Sequence, residues 1–262
     1  MDSETLSRPD MVAINGIEVE LLTRGAGPAL LFLHPHIGLT RADAFLEALA
    51  RRFTVYAPSH PGFGRSALPR HFTTVDDLAY FYLDLIEERD LDRIVLVGAS
   101  FGGWLAAEIA IKASPRLQRL VLIDPLGIRL SERDTPDIVD FFATSQSELD
   151  RLAYRDPAHA RLDHSAISEE DAFIHFRNRE SAALYGWSPY MNDPKLKGRL
   201  HRIKVPTLVL WGEDDGIVEP RYGSAYAGLI PGARFATVAG AAHFPHIERP
   251  QDCADLITAF GA

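Results

Sequence analysis

Two periods of hydrophobicity alternate along this chain. Short continuous apolar runs at residues 29–33, 53–57, 93–97 and 117–123 are separated by stretches at 41–51, 75–88 and 103–113 in which apolar positions recur at helical spacing. A short run that is apolar throughout suits a parallel strand covered on both faces, and the longer period suits a helix with one buried stripe. At 41–51 that stripe is Phe45, Leu46 and Leu49. The alternation predicts an α/β fold, with a mostly parallel central sheet and helices on both faces. Ahead of it, residues 11–14 and 17–22 read as an antiparallel hairpin, because Asn15-Gly16 between them is the pair a type I′ turn prefers.

The rhythm stops at Asp124-Pro125 and resumes at Val205-Pro206, after which 207–211, 222–229, 234–238 and 252–260 again read strand, helix, strand, helix. A structureless stretch of about 80 residues is uncommon inside a compact domain. This one has helix starts of its own. Thr135-Pro136 has the character of an N-cap and first-turn pair, and Ser168 with Asp171 three residues on is a capping box opening a helix at 169–184. The chain therefore divides into a core at 1–125 and 203–262 and a helical insertion at 126–202. The insertion holds Phe141, Phe142, Tyr154, Phe173, Phe176, Tyr185, Trp187 and Tyr190. Most of these are expected to form its own core, with a few turned down onto the sheet. There is no internal repeat and no low-complexity tract.

Composition narrows the function. With 262 residues, 27 Lys+Arg against 36 Asp+Glu and a net charge of −9, the chain has no basic block to displace counterions from a nucleic acid. The lone Cys253 rules out an intramolecular disulfide framework and a zinc site built on two cysteines. The first nine residues lack the basic flank and apolar run of an export signal, and no apolar stretch is long enough to span a bilayer. The expectation is a cytoplasmic protein with a small-molecule substrate, no membrane or nucleic-acid partner and an open oligomeric state.

The segment that carries chemistry is Gly98-Ala99-Ser100-Phe101-Gly102, placed between a buried strand and a helix. A sharp strand-to-helix bend forces its central residue into a strained conformation and needs small neighbours, here Gly98 and Gly102. The serine hydroxyl then stands at the carboxyl edge of the sheet, with helix N–H groups behind it where an oxyanion would form.

From about residue 12 to 260 the chain resembles the α/β-hydrolase family, with the insertion where that family places its cap. The resemblance implies a serine, acid, histidine order. Asp215, three residues after the glycine in Trp211-Gly212-Glu213-Asp214-Asp215, matches the acid, and His243 in Gly240-Ala241-Ala242-His243 matches the histidine. Asp124, at the end of another strand, is a rival acid, and Asp214 is expected to face solvent or receive a capping N–H. The family's His-Gly-x segment stands here as His34-Pro35-His36. Proline lacks an N–H, but the donor position falls on His36, whose backbone N–H is available, and Phe101 supplies the second oxyanion donor. The His36 side chain either meets substrate or packs. With Trp187 and Phe244 it is a candidate for the pocket wall. His60 is read as a turn residue in a Pro-Gly-x-Gly-x-Ser loop.

Other signals are weaker. His243 and His246 lack a third ligand nearby in sequence, so a metal is not expected and His246 reads as structural. Gly62-Phe63-Gly64-Arg65-Ser66-Ala67 fits a dinucleotide fingerprint formally, but no helix follows directly, and no cofactor is expected. A serine nucleophile implies acyl transfer to water, and an aromatic-rich cap implies a small or medium apolar or aromatic carboxylic ester. The rival is carbon–carbon bond hydrolysis of a ring-fission product. Relatives of that kind usually place Asn before the nucleophile and Trp after the histidine, where this chain has Ala99 and Phe244. Cofactor-free perhydrolysis is a conceivable side activity of the same residues. From a different class, a ligand-binding receptor without catalysis is the remaining alternative.

Overall fold

A computed structural model describes residues 9–39, 41–132, 135–160 and 168–261. The hairpin forms as the sequence implies. Strands β1 (Asp10–Ile14) and β2 (Ile17–Arg24) pair antiparallel, and Asn15 and Gly16 take φ of 46° and 76°. The chain continues through β3 (Ala29–Leu33), α1 (Asp43–Ala50), β4 (Thr54–Pro58), α2 (Val75–Glu88), β5 (Ile94–Ala99), α3 (Phe101–Ile111) and β6 (Leu117–Ile123). Next come α4 (Gln146–Ala153) and α5 (Glu169–Gly186), then β7 (Thr207–Gly212), α6 (Pro220–Gly228), β8 (Arg234–Val238), α7 (Pro245–Glu248) and α8 (Pro250–Gly261).

The eight strands form one sheet in the order β1-β2-β4-β3-β5-β6-β7-β8, antiparallel at β1-β2 and β2-β4 and parallel elsewhere. Alternation along each strand sends side chains to two separate cores. Leu30, Phe32, Val95, Val97, Val121, Ile123, Leu208 and Leu210 pack beneath α1 and α8, against Phe45, Leu49 and Ile257. Leu31, Leu33, Leu96, Leu120, Leu122, Val209 and Trp211 pack beneath α2, α3 and α6. Both faces are covered, as uninterrupted apolar strands require. Helix α2 begins at Thr74 with a reciprocal capping box to Asp77.

Between β6 and β7 the sequence pattern was only partly obeyed. Ser168 caps α5 by accepting from the Asp171 N–H at 3.0 Å. No helix starts at Thr135-Pro136. There the Asp137 carboxylate takes the N–H groups of Leu130 and Ser131, and Val139 N–H donates to Ile217 O, so side-chain acceptors and the core loop hold the backbone in an irregular path. Among the described residues the insertion's aromatics form only a small cluster of their own, Phe142 with Trp187 and Tyr190. Phe173, Phe176 and Trp187 are exposed, whereas Phe141, Tyr154 and Tyr185 turn inward onto His36, Phe244 and Phe63.

Candidate active site

Ser100 sits where β5 bends into α3, with φ 52° and ψ −113°, a left-handed conformation that only a tight surrounding holds in a non-glycine residue. The surroundings are that tight. A Cβ on Gly102 would lie 2.1 Å from the Leu33 carbonyl oxygen, so only glycine lets α3 start against β3. The Ser100 N–H donates to Ile123 O, and its own carbonyl accepts from Gly103 and Trp104.

Ser100 Oγ lies 2.8 Å from His243 Nε2, and His243 Nδ1 lies 2.8 Å from Asp215 Oδ2. A carboxylate only accepts, so Nδ1 carries the proton and Nε2 is left to accept from the serine hydroxyl. The second Asp215 oxygen accepts from the N–H groups of Ile217 at 2.8 Å and Val218 at 3.0 Å. All three side chains are buried. Chain segments from three strand ends are thereby brought together: Ser100 follows β5, Asp215 follows β7 and His243 follows β8. The loops after β7 and β8 are also tied to the insertion, since His243 N–H donates to Ala153 O and Gly216 N–H to Leu152 O.

The rival carboxyl group is adjacent. Asp124 Oδ1 accepts from Gly212 N–H at 2.9 Å while Oδ2 is buried without a partner. Burial, reinforced by the charge of Asp215, holds its carboxyl well above the usual carboxylate range. Asp124, Asp215 and His243 bring one ligand atom each within 4.8 Å. Both Asp215 oxygens and both His243 nitrogens are already committed to hydrogen bonds, which leaves a poor donor set for an ion. Asp214 points away and pairs with Arg155 at the surface.

His34-Pro35-His36 forms a turn in which Gly38 N–H donates to Pro35 O. His34 Nδ1 donates to Pro35 O at 2.7 Å, and its Nε2 accepts from His60 N–H at 2.9 Å. His60 Nε2 donates back to His34 O at 3.0 Å, and its Nδ1 meets Tyr82 Oη. Every one of these bonds uses a neutral imidazole. Burial pushes His34 down to about 4 and lowers His60 strongly. His60 is thus more than a turn residue, because it clamps the His34 segment to the β4 end of the sheet. The backbone N–H groups of His36 and Phe101 meet no protein acceptor among the described residues.

A cavity of about 420 Å³ lies beneath α4 and α5. His36, Phe141 and Phe244 belong both to its wall and to the ring cluster around His243. Ser100 and His243 are not themselves among the residues that line the cavity. The His36 ring packs on Phe141 at 4.3 Å with Nδ1 unpartnered. Burial, the largest cause, together with the electrostatic influence of His243, Arg179 and His34, holds it down to about 3. Trp187 is not part of the wall. It lies 63% exposed against the outer side of Phe142. His246 is structural, buried among Phe32, Phe45 and Phe244 with neither ring nitrogen bonded. Residues that sequence reasoning did not single out are Arg179 and Asn178, the latter 3% exposed, both on the cavity wall. A polar residue in mid-helix carries no local signal of what it will meet.

A mostly parallel sheet with helices on both faces and a serine at a strand-to-helix bend defines hydrolases of the α/β class. The model of the Alpha/beta hydrolase family matches residues 30–256, and the chain belongs to that family. It is 27% identical to the 2-hydroxy-6-oxo-2,4-heptadienoate hydrolase of Pseudomonas putida, over 95% of each chain. Among solved structures, an esterase of Thermogutta terrifontis superposes with a TM-score of 0.75 at 26% identity, over 97% of both chains. A meta-cleavage product hydrolase superposes with a TM-score of 0.77 at 19% identity, over 97% of both, which speaks to the fold alone. Among the described residues no helix is long and apolar enough to cross a membrane.

Proposed function

We propose that the protein is a serine hydrolase that transfers an acyl group from a small or medium apolar or aromatic carboxylic ester to water. The observation that carries this is the unbroken chain of hydrogen bonds from Ser100 Oγ through His243 to Asp215. His243 Nε2 takes the serine proton as Oγ attacks the carbonyl carbon. Asp215 holds the ring in the Nδ1-protonated form and balances the imidazolium. The N–H groups of His36 and Phe101 receive the developing oxyanion, each worth about 3 kcal/mol in the transition state. His243 then returns the proton to the leaving alcohol, and water, deprotonated by the same ring, releases the acid. Residues 126–202 act as a cap, and the aromatic wall favours apolar acyl groups. No cofactor enters this reading.

The test is turnover of p-nitrophenyl esters of increasing acyl length together with labelling by a fluorophosphonate. Labelling at Ser100, and loss of both signals in Ser100→Ala, is the expected result. A Ser100→Ala protein that keeps its esterase activity would sink the assignment. A second reading, hydrolysis of a carbon–carbon bond in a ring-fission dienoate, is favoured by the Pseudomonas putida relative. The same serine, histidine and aspartate would serve it. A preference for such a dienoate over every ester, measured by kcat/KM, would replace the first reading with the second.

A further inference from the structure

One face of α5 is fastened to the core by side chains that hydrogen-bond to main-chain atoms. Arg177 donates to Ser66 O, Ser181 Oγ to Gly62 O at 2.7 Å and Tyr185 Oη to Pro61 O at 3.1 Å. All three of these reach the 60–66 loop. Asn178 differs from its neighbours, because it holds two loops at once. Its Oδ1 accepts from Gly64 N–H at 2.9 Å, and its Nδ2 donates to Ile37 O at 3.1 Å. The approach is close. A Cβ on Gly38 would lie 2.4 Å from Nδ2, and Gly38 has φ 85°.

Ile37 O belongs to the turn that presents the His36 N–H. The start of that turn is clamped by the His34 and His60 pair, and Asn178 reaches its far end from the insertion through Ile37 O. We propose that Asn178 is a positioning residue for acyl transfer, fixing the 35–38 turn so that the His36 N–H points at the reacting oxygen. The inference rests on the serine-hydrolase reading above. Its chemical basis is that an oxyanion donor is effective only when held in place before the charge develops, so a turn free to rotate loses transition-state stabilisation without losing ground-state binding. Arg179 and Ala182 of the same helix line the cavity, so the element that contacts substrate also sets the donor.

The experiment compares wild type, Asn178→Ala and Asn178→Asp with Ser181→Ala on a matched pair of oxo and thiono esters. A thiono sulfur is a weak acceptor and gains little from the N–H donors, so the ratio of the two rates reports the oxyanion site rather than general folding. In Asn178→Ala, kcat for the oxo ester should fall about tenfold to thirtyfold with KM within about twofold, and the oxo-to-thiono ratio should fall at least about fivefold. Asn178→Asp should do the same or worse, because a carboxylate can still accept from Gly64 but faces the Ile37 carbonyl. Ser181→Ala, which loosens α5 without touching the 35–38 turn, should leave the ratio unchanged. An unchanged ratio in both Asn178 variants, or an equal loss in Ser181→Ala, overturns the inference while leaving the parent reading intact. A wild-type chain whose Ser100 resists fluorophosphonate overturns both.

Discussion

The carboxyl edge of the sheet and the insertion beneath which it lies are built by different means. At the edge, Ser100, Asp215 and His243 are buried, joined to one another and braced by backbone donors at every free oxygen of Asp215. Across the insertion, α5 is held to the core by a handful of side-chain hydrogen bonds and leaves Phe173, Phe176 and Trp187 in solvent. The edge fixes a reaction geometry that tolerates little change. The insertion divides into a buried side that packs on the core and an outer side that meets solvent.

The sharpest way to break that comparison is at the two carboxyl groups. Asp215→Asn presents an amide where His243 needs an anion, and should lower kcat by about a thousandfold to ten-thousandfold in ester turnover. Asp124→Asn keeps an acceptor for Gly212 N–H and should stay close to wild type, because His243 bonds to Asp215 instead and burial favours the uncharged form of Asp124. Equal losses in the two variants would show that the edge does not distinguish them. Next in size is Gly102→Ala. Its Cβ must displace the Leu33 carbonyl, and unfolding in urea should show a loss of about 3 kcal/mol, the upper range of overpacking a close-packed interior.

A pH test comes third. His34, His36 and His246 are held down to about 4, 3 and 3, so from pH 6.5 to about 4 the unfolded chain gains a proton at each that the native state refuses. Stability therefore falls with acid across that window. Glu108, pushed up to about 7 by burial, works in the opposite direction between pH 4.5 and 7, because there the native state holds a proton that the unfolded chain has lost. His246→Phe removes one refusing imidazole, and should shrink the stability difference between pH 5 and 7.5 by about 2 kcal/mol, read from urea midpoints at the two pH values. An unchanged difference would place the ring in a wetter setting than the structure does. The smallest effect belongs to the insertion's outer face. Phe173→Ser with Phe176→Ser should leave stability within about 0.5 kcal/mol, as for surface positions generally, and a larger loss would mean that this face is covered in solution.

Much of this was legible in the linear chain. The helix at Val75–Glu88 and the strands Ala29–Leu33, Leu117–Ile123 and Arg234–Val238 fall where the hydrophobic period placed them, since burial on two sides leaves few other ways to read such runs. Ser100 was legible because a strand, two glycines and a helix constrain one residue. Thr135-Pro136 misled, because a local capping signal was outweighed by the Asp137 side chain and by pairing to Ile217. Trp187 misled because an aromatic side chain in the insertion carries no local sign of whether it turns toward the sheet or toward solvent.

What the sequence determined by itself is whatever depends on neighbours along the chain: the period of each strand and helix, the turn at Asn15-Gly16, and the bend at Ser100. Which carboxyl group bonds to His243, that His60 clamps the His34 turn, and that Asn178 reaches Ile37 and Gly64 at once were decided only by tertiary structure. The physical reason is that desolvation and hydrogen-bond geometry depend on distances between residues far apart in sequence, and no local pattern encodes those distances.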